Sequence, residues 1–136
     1  MPHLEFTVDG PPISHQTKDK ANLNAWKNTI RTRAAEHWGP RAFLTGKLKC
    51  TIINFHEGMK ASLDDDNMVK PIRDALNKLV YDDDSQICYS ETIHVSIDAP
   101  IKLRRASSIL LAAFSKGDEF LYVRIDDAPD FIQLPQ

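Results

Sequence analysis

The sequence predicts an α/β (α+β) fold: one domain over residues 1–136, with helices packed on a mixed β-sheet of about four strands in the order β-α-β-α-β-α-β. Three observations lead there. Segments whose apolar residues alternate with period two give way to segments of helical period, then return. Glycine and proline punctuate the changes of period. The length, with 42% hydrophobic and 26% charged residues, fits one globular domain and not a disordered or fibrous chain.

The elements follow in order. His3 to Val8 alternates Leu4, Phe6 and Val8 with polar neighbours and reads as a half-buried strand, ended by Gly10-Pro11-Pro12. From Lys20 to Trp38, Leu23, Trp26, Ile30, Ala34 and Trp38 recur at helical spacing, and Gly39-Pro40 stops the helix. Both tryptophans therefore belong to the core. Lys27 and Arg31 stand four apart on this helix with Arg33 nearby, so its polar face is basic. Such a face suits a phosphate backbone, and equally a solvated surface.

Gly46 to Phe55 alternates as a second strand, and a polar loop from His56 to Leu63 follows. Asn67 to Val80 is the second helix. Met68, Val69, Ile72, Ala75, Leu76, Leu79 and Val80 fall in a sector of about 140°. Asn67, Lys70 and Asp74 share the opposite face, and Pro71 is expected in the first turn, where a missing N–H does least harm. Ile87 to Ile97 alternates as a long strand. Ser107 to Ser115 fits a short helix capped by serine, with a strand as the alternative. Glu119 to Asp126 is the last strand, and residues 127–136 read as a loose tail.

The longest apolar runs are too short for a transmembrane helix, and His3, Glu5 and Asp9 interrupt any signal peptide. Cys50 and Cys88 form neither a disulfide framework nor a zinc pattern, which points to a reducing cytoplasm and to both thiols packing as small apolar groups. His56 follows a strand and reads as an exposed polar residue, with metal approach as the alternative. His3, His15, His37 and His94 show no ligand spacing.

The net charge of −2 hides a strong segregation. Residues 1–60 carry +4, residues 61–84 carry −4 and residues 85–136 carry −2. Seven of the 19 acids lie between Asp64 and Asp84: Asp74 on the second helix, and two triplets, Leu63-Asp64-Asp65-Asp66-Asn67 before that helix and Tyr81-Asp82-Asp83-Asp84-Ser85-Gln86 after it. If both merely capped the helix they would stand roughly 20 Å apart, so convergence demands that the chain fold back along it. Clustered carboxylates repel one another, and a hard divalent cation relieves that repulsion through oxygen ligands. Such a site polarises a phosphodiester and activates water. Lys70 would offset charge in the transition state, and Asp74, one turn further, would orient it. Helix capping and solvated turns are the structural alternative for these aspartates. A calcium-hand loop is excluded, because the alternating oxygen ligands, central glycine and terminal glutamate are missing.

These residues carry a resemblance. Asp64-x-Asp66-Asn67-x-x-Lys70-x-x-x-Asp74-Ala75-Leu76, then Tyr81-x-Asp83-Asp84-x-Gln86, resembles the signature of RusA-type Holliday junction resolvases. Val8-Asp9-Gly10-Pro11-Pro12-Ile13-Ser14 is similar to that family's N-terminal segment. The likeness covers about residues 3–97, and relative to that family residues 101–117 look like an insertion before the final strand. It implies a homodimeric crossover junction endodeoxyribonuclease, dependent on Mg²⁺ or Mn²⁺, that hydrolyses phosphodiesters at four-way DNA junctions in recombination and repair. The metal aspartates would be Asp64, Asp66 and Asp84 with Asp83 beside them, and the essential lysine Lys70. Asn67 would cap the helix and Asp74 position Lys70, while Lys27, Arg31 and Arg33 would meet DNA. The alternative is a non-catalytic or weakly active RusA-like module that binds nucleic acid or a partner protein.

Overall fold

The structure, a computed structural model, describes residues 1–61, 63–131 and Pro135. Four strands form one mixed sheet: β1 (Leu4–Asp9), β2 (Leu48–His56), β3 (Ile87–Ser96) and β4 (Phe120–Asp127), in the spatial order β1-β4-β2-β3. β4 runs antiparallel to both β1 and β2, whereas β2 and β3 are parallel. Three helices complete the fold: α1 (Lys20–Trp38), α2 (Asp65–Leu76) and α3 (Ser108–Phe114). The fold class and element order are those expected from the sequence, and no described helix is long and apolar enough to cross a membrane.

The alternating residues divide the sheet into two faces. Leu4, Phe6 and Val8 of β1, Leu48, Cys50 and Ile52 of β2, and Leu121, Val123 and Ile125 of β4 pack against α1 and α2 in the main core. Trp26 and Trp38 lie in that core, as their spacing required. Phe55, Phe120 and Tyr122 face the other way and pack with Leu110 and Ala113 of α3 in a smaller cluster. The ambiguous 107–115 segment is therefore helical, with the Ser107 side chain accepting the Leu110 N–H. The apparent insertion covers the sheet's second face.

Helix α2 departs from its expected bounds at both ends. It begins at Asp65 and stops at Leu76, because Lys78 takes φ 64° and turns the chain. Asp64 occupies the N-cap, so Asn67 does not cap this helix. Nor does Pro71 lie in the first turn. It is buried in mid-helix, where its missing N–H deprives the Asn67 carbonyl of a helical partner. The His15 N–H fills that gap at 2.9 Å, which ties the segment after β1 onto α2. A tertiary bond thus absorbs a cost that sequence reasoning had assigned to the helix start.

Smaller corrections concern Cys88 and His56. Cys50 is buried as expected, but Cys88 is exposed on β3, an edge strand. His56 ends β2 and is buried, with Nδ1 3.0 Å from the Glu57 carbonyl oxygen. Within the expected loop to Leu63, Ser62 lies outside the described residues. Of the expected tail, Asp127 closes β4 and residues 128–131 form neither helix nor strand. Residues 132–134 and 136 lie outside the described residues.

Candidate active site

The parallel β2–β3 pair requires α2 to cross back over the sheet between them. That crossover lays β3 and the turn before it alongside α2, which is the folding-back the two acidic segments demanded. The result is a groove of about 490 Å³ lined by Asp65, Asp66, Val69, Lys70 and Arg73 of α2, Asp84, and Ser90 and Thr92 of β3. Asp65 meets His94 near the end of β3, and Asp84 faces Lys70.

Lys70 is the electrostatic centre of the groove. Its Nζ donates to Asp74 Oδ1 at 2.7 Å and lies 4.0 Å from Asp84 Oδ2. Lys27 of α1 reaches the same Asp74 carboxylate, with Nζ 3.5 Å from Oδ2. The bond to Asp74 raises the Lys70 ammonium above its ordinary range, so it is a fixed cation at neutral pH. The expected positioning pair of Lys70 and Asp74 is therefore present at i,i+4 spacing.

The turn carrying Asp84 is held by its neighbours. Asp83 caps a single 3₁₀ turn, Asp84–Gln86, by accepting the Ser85 N–H at 3.1 Å. Hydrogen bonds from Ser85 keep the Asp83 carboxyl below the usual range. Gln86 completes the turn: its Oε1 accepts the Asp82 and Asp83 N–H groups, and its Nε2 donates to the Leu44 and Gly46 carbonyls. Tyr81 is buried, and its hydroxyl donates to the Arg73 carbonyl at 2.7 Å, tying the turn to α2. Asp82 pairs with Lys78 at the surface. In the second acidic motif, then, Tyr81, Asp83 and Gln86 build the turn and Asp84 faces the groove.

The first motif is distributed differently from its pattern. Asp64 is exposed at the N-cap and makes no side-chain cap bond, and Asp65 and Asp66 are the residues that line the groove. Sequence reasoning missed Asp65 and its partner. His94 Nε2 lies 2.5 Å from Asp65 Oδ1, while Asn54 Nδ2 lies 3.2 Å from His94 Nδ1. The neutral tautomer that satisfies both contacts carries its proton on Nε2. Asn54 and His94 are register partners across β2 and β3, a pairing visible only once the strands are known to be parallel.

The basic face of α1 has local partners. Arg31 donates to the Ala75 and Asn77 carbonyls at 3.0 and 2.8 Å. Arg33 donates to the Thr7 carbonyl at 3.1 Å and to Glu36 at 2.6 Å. Lys27 borders the acidic groove through Asp74.

Oxygen donors alone face the groove from its acidic residues, and Ser90 and Thr92 add hydroxyls. This donor set fits a hard divalent cation, which is usually held by one or two carboxylates, water and substrate phosphate. Among the described residues, no group of three or more His, Cys, Asp or Glu side chains is gathered closely enough to hold a metal by itself.

No curated protein matches the chain. A family model described as Endodeoxyribonuclease RusA matches residues 9–103, well over half of the sequence. That span runs from the last residue of β1 past the end of β3, and so contains α2, both acidic motifs and every residue of the groove. The chain belongs to the RusA endodeoxyribonuclease family.

Proposed function

We propose that the chain is a metal-dependent, structure-specific endodeoxyribonuclease that hydrolyses phosphodiesters at four-way DNA junctions. The observation that carries the reading is the meeting of two acidic motifs in one groove with a lysine between them, Lys70 standing 4.0 Å from Asp84. Asp66 and Asp84 of the groove would hold Mg²⁺ or Mn²⁺, with Asp64 reaching in from the N-cap of α2 and Asp65, steadied by His94, beside them. When bound, the cation supplies a Lewis acid to a phosphoryl oxygen and a more acidic water.

The chain's own residues do the rest. Lys70 stays protonated and stabilises the negative charge that grows on the scissile phosphate. Asp74 fixes the Lys70 side chain, and Lys27 completes the positive rim on the α1 side. Asp83 supports the metal site through the turn it caps. Asn67, through its carbonyl bond to His15, holds the segment after β1 against the groove. Paired cuts on a two-fold junction call for a homodimer, and the role assigned is recombination and repair in the cytoplasm.

The test is Asp66→Asn on a synthetic four-way junction. Cleavage in Mg²⁺ collapses while junction binding in Ca²⁺ survives; unchanged cleavage overturns the assignment. One observation favours the second reading, a binding module without catalysis: the described acids form no ready-made cluster of three metal-ligating groups. Calorimetry with Mn²⁺ separates the two, since a purely binding module takes up no metal in this groove.

A further inference from the structure

A cavity of about 670 Å³, larger than the acidic groove, opens on the opposite sheet face, between β2, β3 and β4 on one side and residues 104–107, Leu110 and the 127–131 segment on the other. The segments that close it, Arg104 to Leu110 and Asp127 to Phe131, lie beyond the family match at residues 9–103. Nothing in the proposed reaction uses them.

The charge of this groove is unbalanced in one direction. Its three carboxylates are already engaged: Glu5 accepts the Tyr122 hydroxyl, Asp126 takes Arg124 at 2.9 and 3.2 Å, and Asp127 lies 2.7 Å from His3 Nε2. Arg104 and Arg105, by contrast, make no ion pair or side-chain hydrogen bond among the described residues. In extended chain, consecutive side chains point to opposite sides. Arg105 takes φ 55°, a left-handed conformation uncommon for arginine, which breaks that alternation and lets both guanidinium groups line one groove. Two unpaired forks thus face one cavity, beside Lys49, which pairs with Glu91 at 3.5 Å and stands 5.2 Å from the centre of the Tyr89 ring. Planar apolar surface accompanies them in Tyr89 of β3 and Phe131, which is 77% exposed.

Position adds the last piece. Tyr89 faces this groove, and Ser90, the next residue, lines the acidic one. The two grooves lie back to back across β3, whose outer edge is unpaired by any strand of the described sheet. A polymer leaving the acidic groove over that edge enters the basic one.

We propose that the Arg104–Arg105 groove is a second DNA site, which holds an unpaired strand with its phosphates on the two arginines and a base stacked on Tyr89. An unpaired strand is favoured over a duplex because rings in a cavity of this size are reached only by bases free of a partner. The groove is separate from the hydrolytic site and rests on the nuclease reading only for the choice of DNA as the polymer.

The test uses the full chain in EDTA, so that no cleavage occurs, with a short fluorescein-labelled oligothymidylate followed by anisotropy. Arg104→Ala/Arg105→Ala lowers affinity about tenfold at low salt and makes the slope of log K against log salt shallower by about 1.4, two single-strand phosphate contacts. Tyr89→Leu lowers affinity by about tenfold with the slope unchanged. Circular dichroism confirms that both variants are folded. Wild-type binding and slope in both variants overturn the proposal. So does an equal loss of affinity for a blunt hairpin duplex, or full displacement of the strand by thymidine monophosphate at the same nucleotide concentration. Junction cleavage is scored separately: its absence in the parent chain, with strand binding intact, removes the nuclease reading and leaves this site standing.

Discussion

Arg31 separates two roles that the same residue type can play, DNA contact and helix capping. Helix α2 stops at Leu76, so the carbonyls of Ala75 and Asn77 receive no helical N–H. Arg31 Nη1 supplies both, at 3.0 and 2.8 Å, across the α1–α2 interface. Hydrogen bonds to a charged donor contribute about 1.5–3 kcal/mol each when both groups are shielded. Here the residue is only half-buried, and water can replace part of what is lost. Arg31→Met, which keeps most of the aliphatic stem, is therefore expected to cost about 2 kcal/mol. For a chain of 136 residues that corresponds to a fall of roughly 7 °C in Tm, and about 1 M in the urea midpoint with m unchanged. Junction binding at matched folded fraction, measured across a salt series, keeps the parent slope. A variant with an unmoved urea midpoint and a slope shallower by about one would refute the capping argument and return Arg31 to the phosphate backbone.

Three further outcomes follow from the groove. Lys70→Gln lowers junction-cleavage kcat by about 10²- to 10³-fold, the usual cost of removing one preorganised charge. Asp74→Asn, which leaves the ammonium but releases it, lowers kcat by on the order of 10- to 100-fold with KM little changed. Equal losses in single-turnover assays of the two variants would give Asp74 more than a positioning role. Mn²⁺ at about a hundred times its dissociation constant stabilises the fold by about 2.7 kcal/mol, seen as a Tm rise of roughly 9 °C that Asp66→Asn abolishes. Burial pushes the Cys50 thiol up to about 11, whereas Cys88 is exposed. At pH 8 iodoacetamide therefore labels one thiol in the native chain and two in urea, read by intact mass.

The legible parts of the fold were those that local periodicity dictates. Residues 20–38 carry one apolar face and a glycine stop, and the helix forms over that span. The strands alternate cleanly wherever one face is buried. The misreadings all arose where a distant segment changes the local cost. Pro71 looked like a helix-start residue until His15 supplied the missing donor to Asn67. Arg31 looked like surface charge until α2 proved to end beside it. Cys88 followed the strand pattern, but β3 is an edge strand, and an edge leaves exposed what a central strand would bury. In the site, the acids are legible as a cluster, and the folding-back that brings their two segments together comes from the crossover between parallel β2 and β3. Asp65 and His94 were not legible, because only the parallel register of β2 and β3 brings Asn54, His94 and the start of α2 into line.

The order of charges across the groove balances part of its acidity with the chain's own lysines. Lys27, Asp74, Lys70 and Asp84 form an alternating row, with successive separations of 3.5, 2.7 and 4.0 Å. The short contact sits between Lys70 and Asp74, and the long one faces Asp84. Lys70 is therefore anchored by the carboxylate that belongs to its own helix and only leans on the one across the groove. An anchor of that kind leaves Asp84 partly neutralised but not consumed, so a divalent ion can take it without dismantling the Asp74–Lys70 pair. Exchanging the two distances would have the opposite effect: metal uptake would then have to break a close ion pair and displace the cation the reaction needs. The net charge of −2 is thus a weak guide to what the surface attracts. The acidic excess lies in a groove around Lys70, and the two arginines that make no ion pair among the described residues lie on the other side of the same strand.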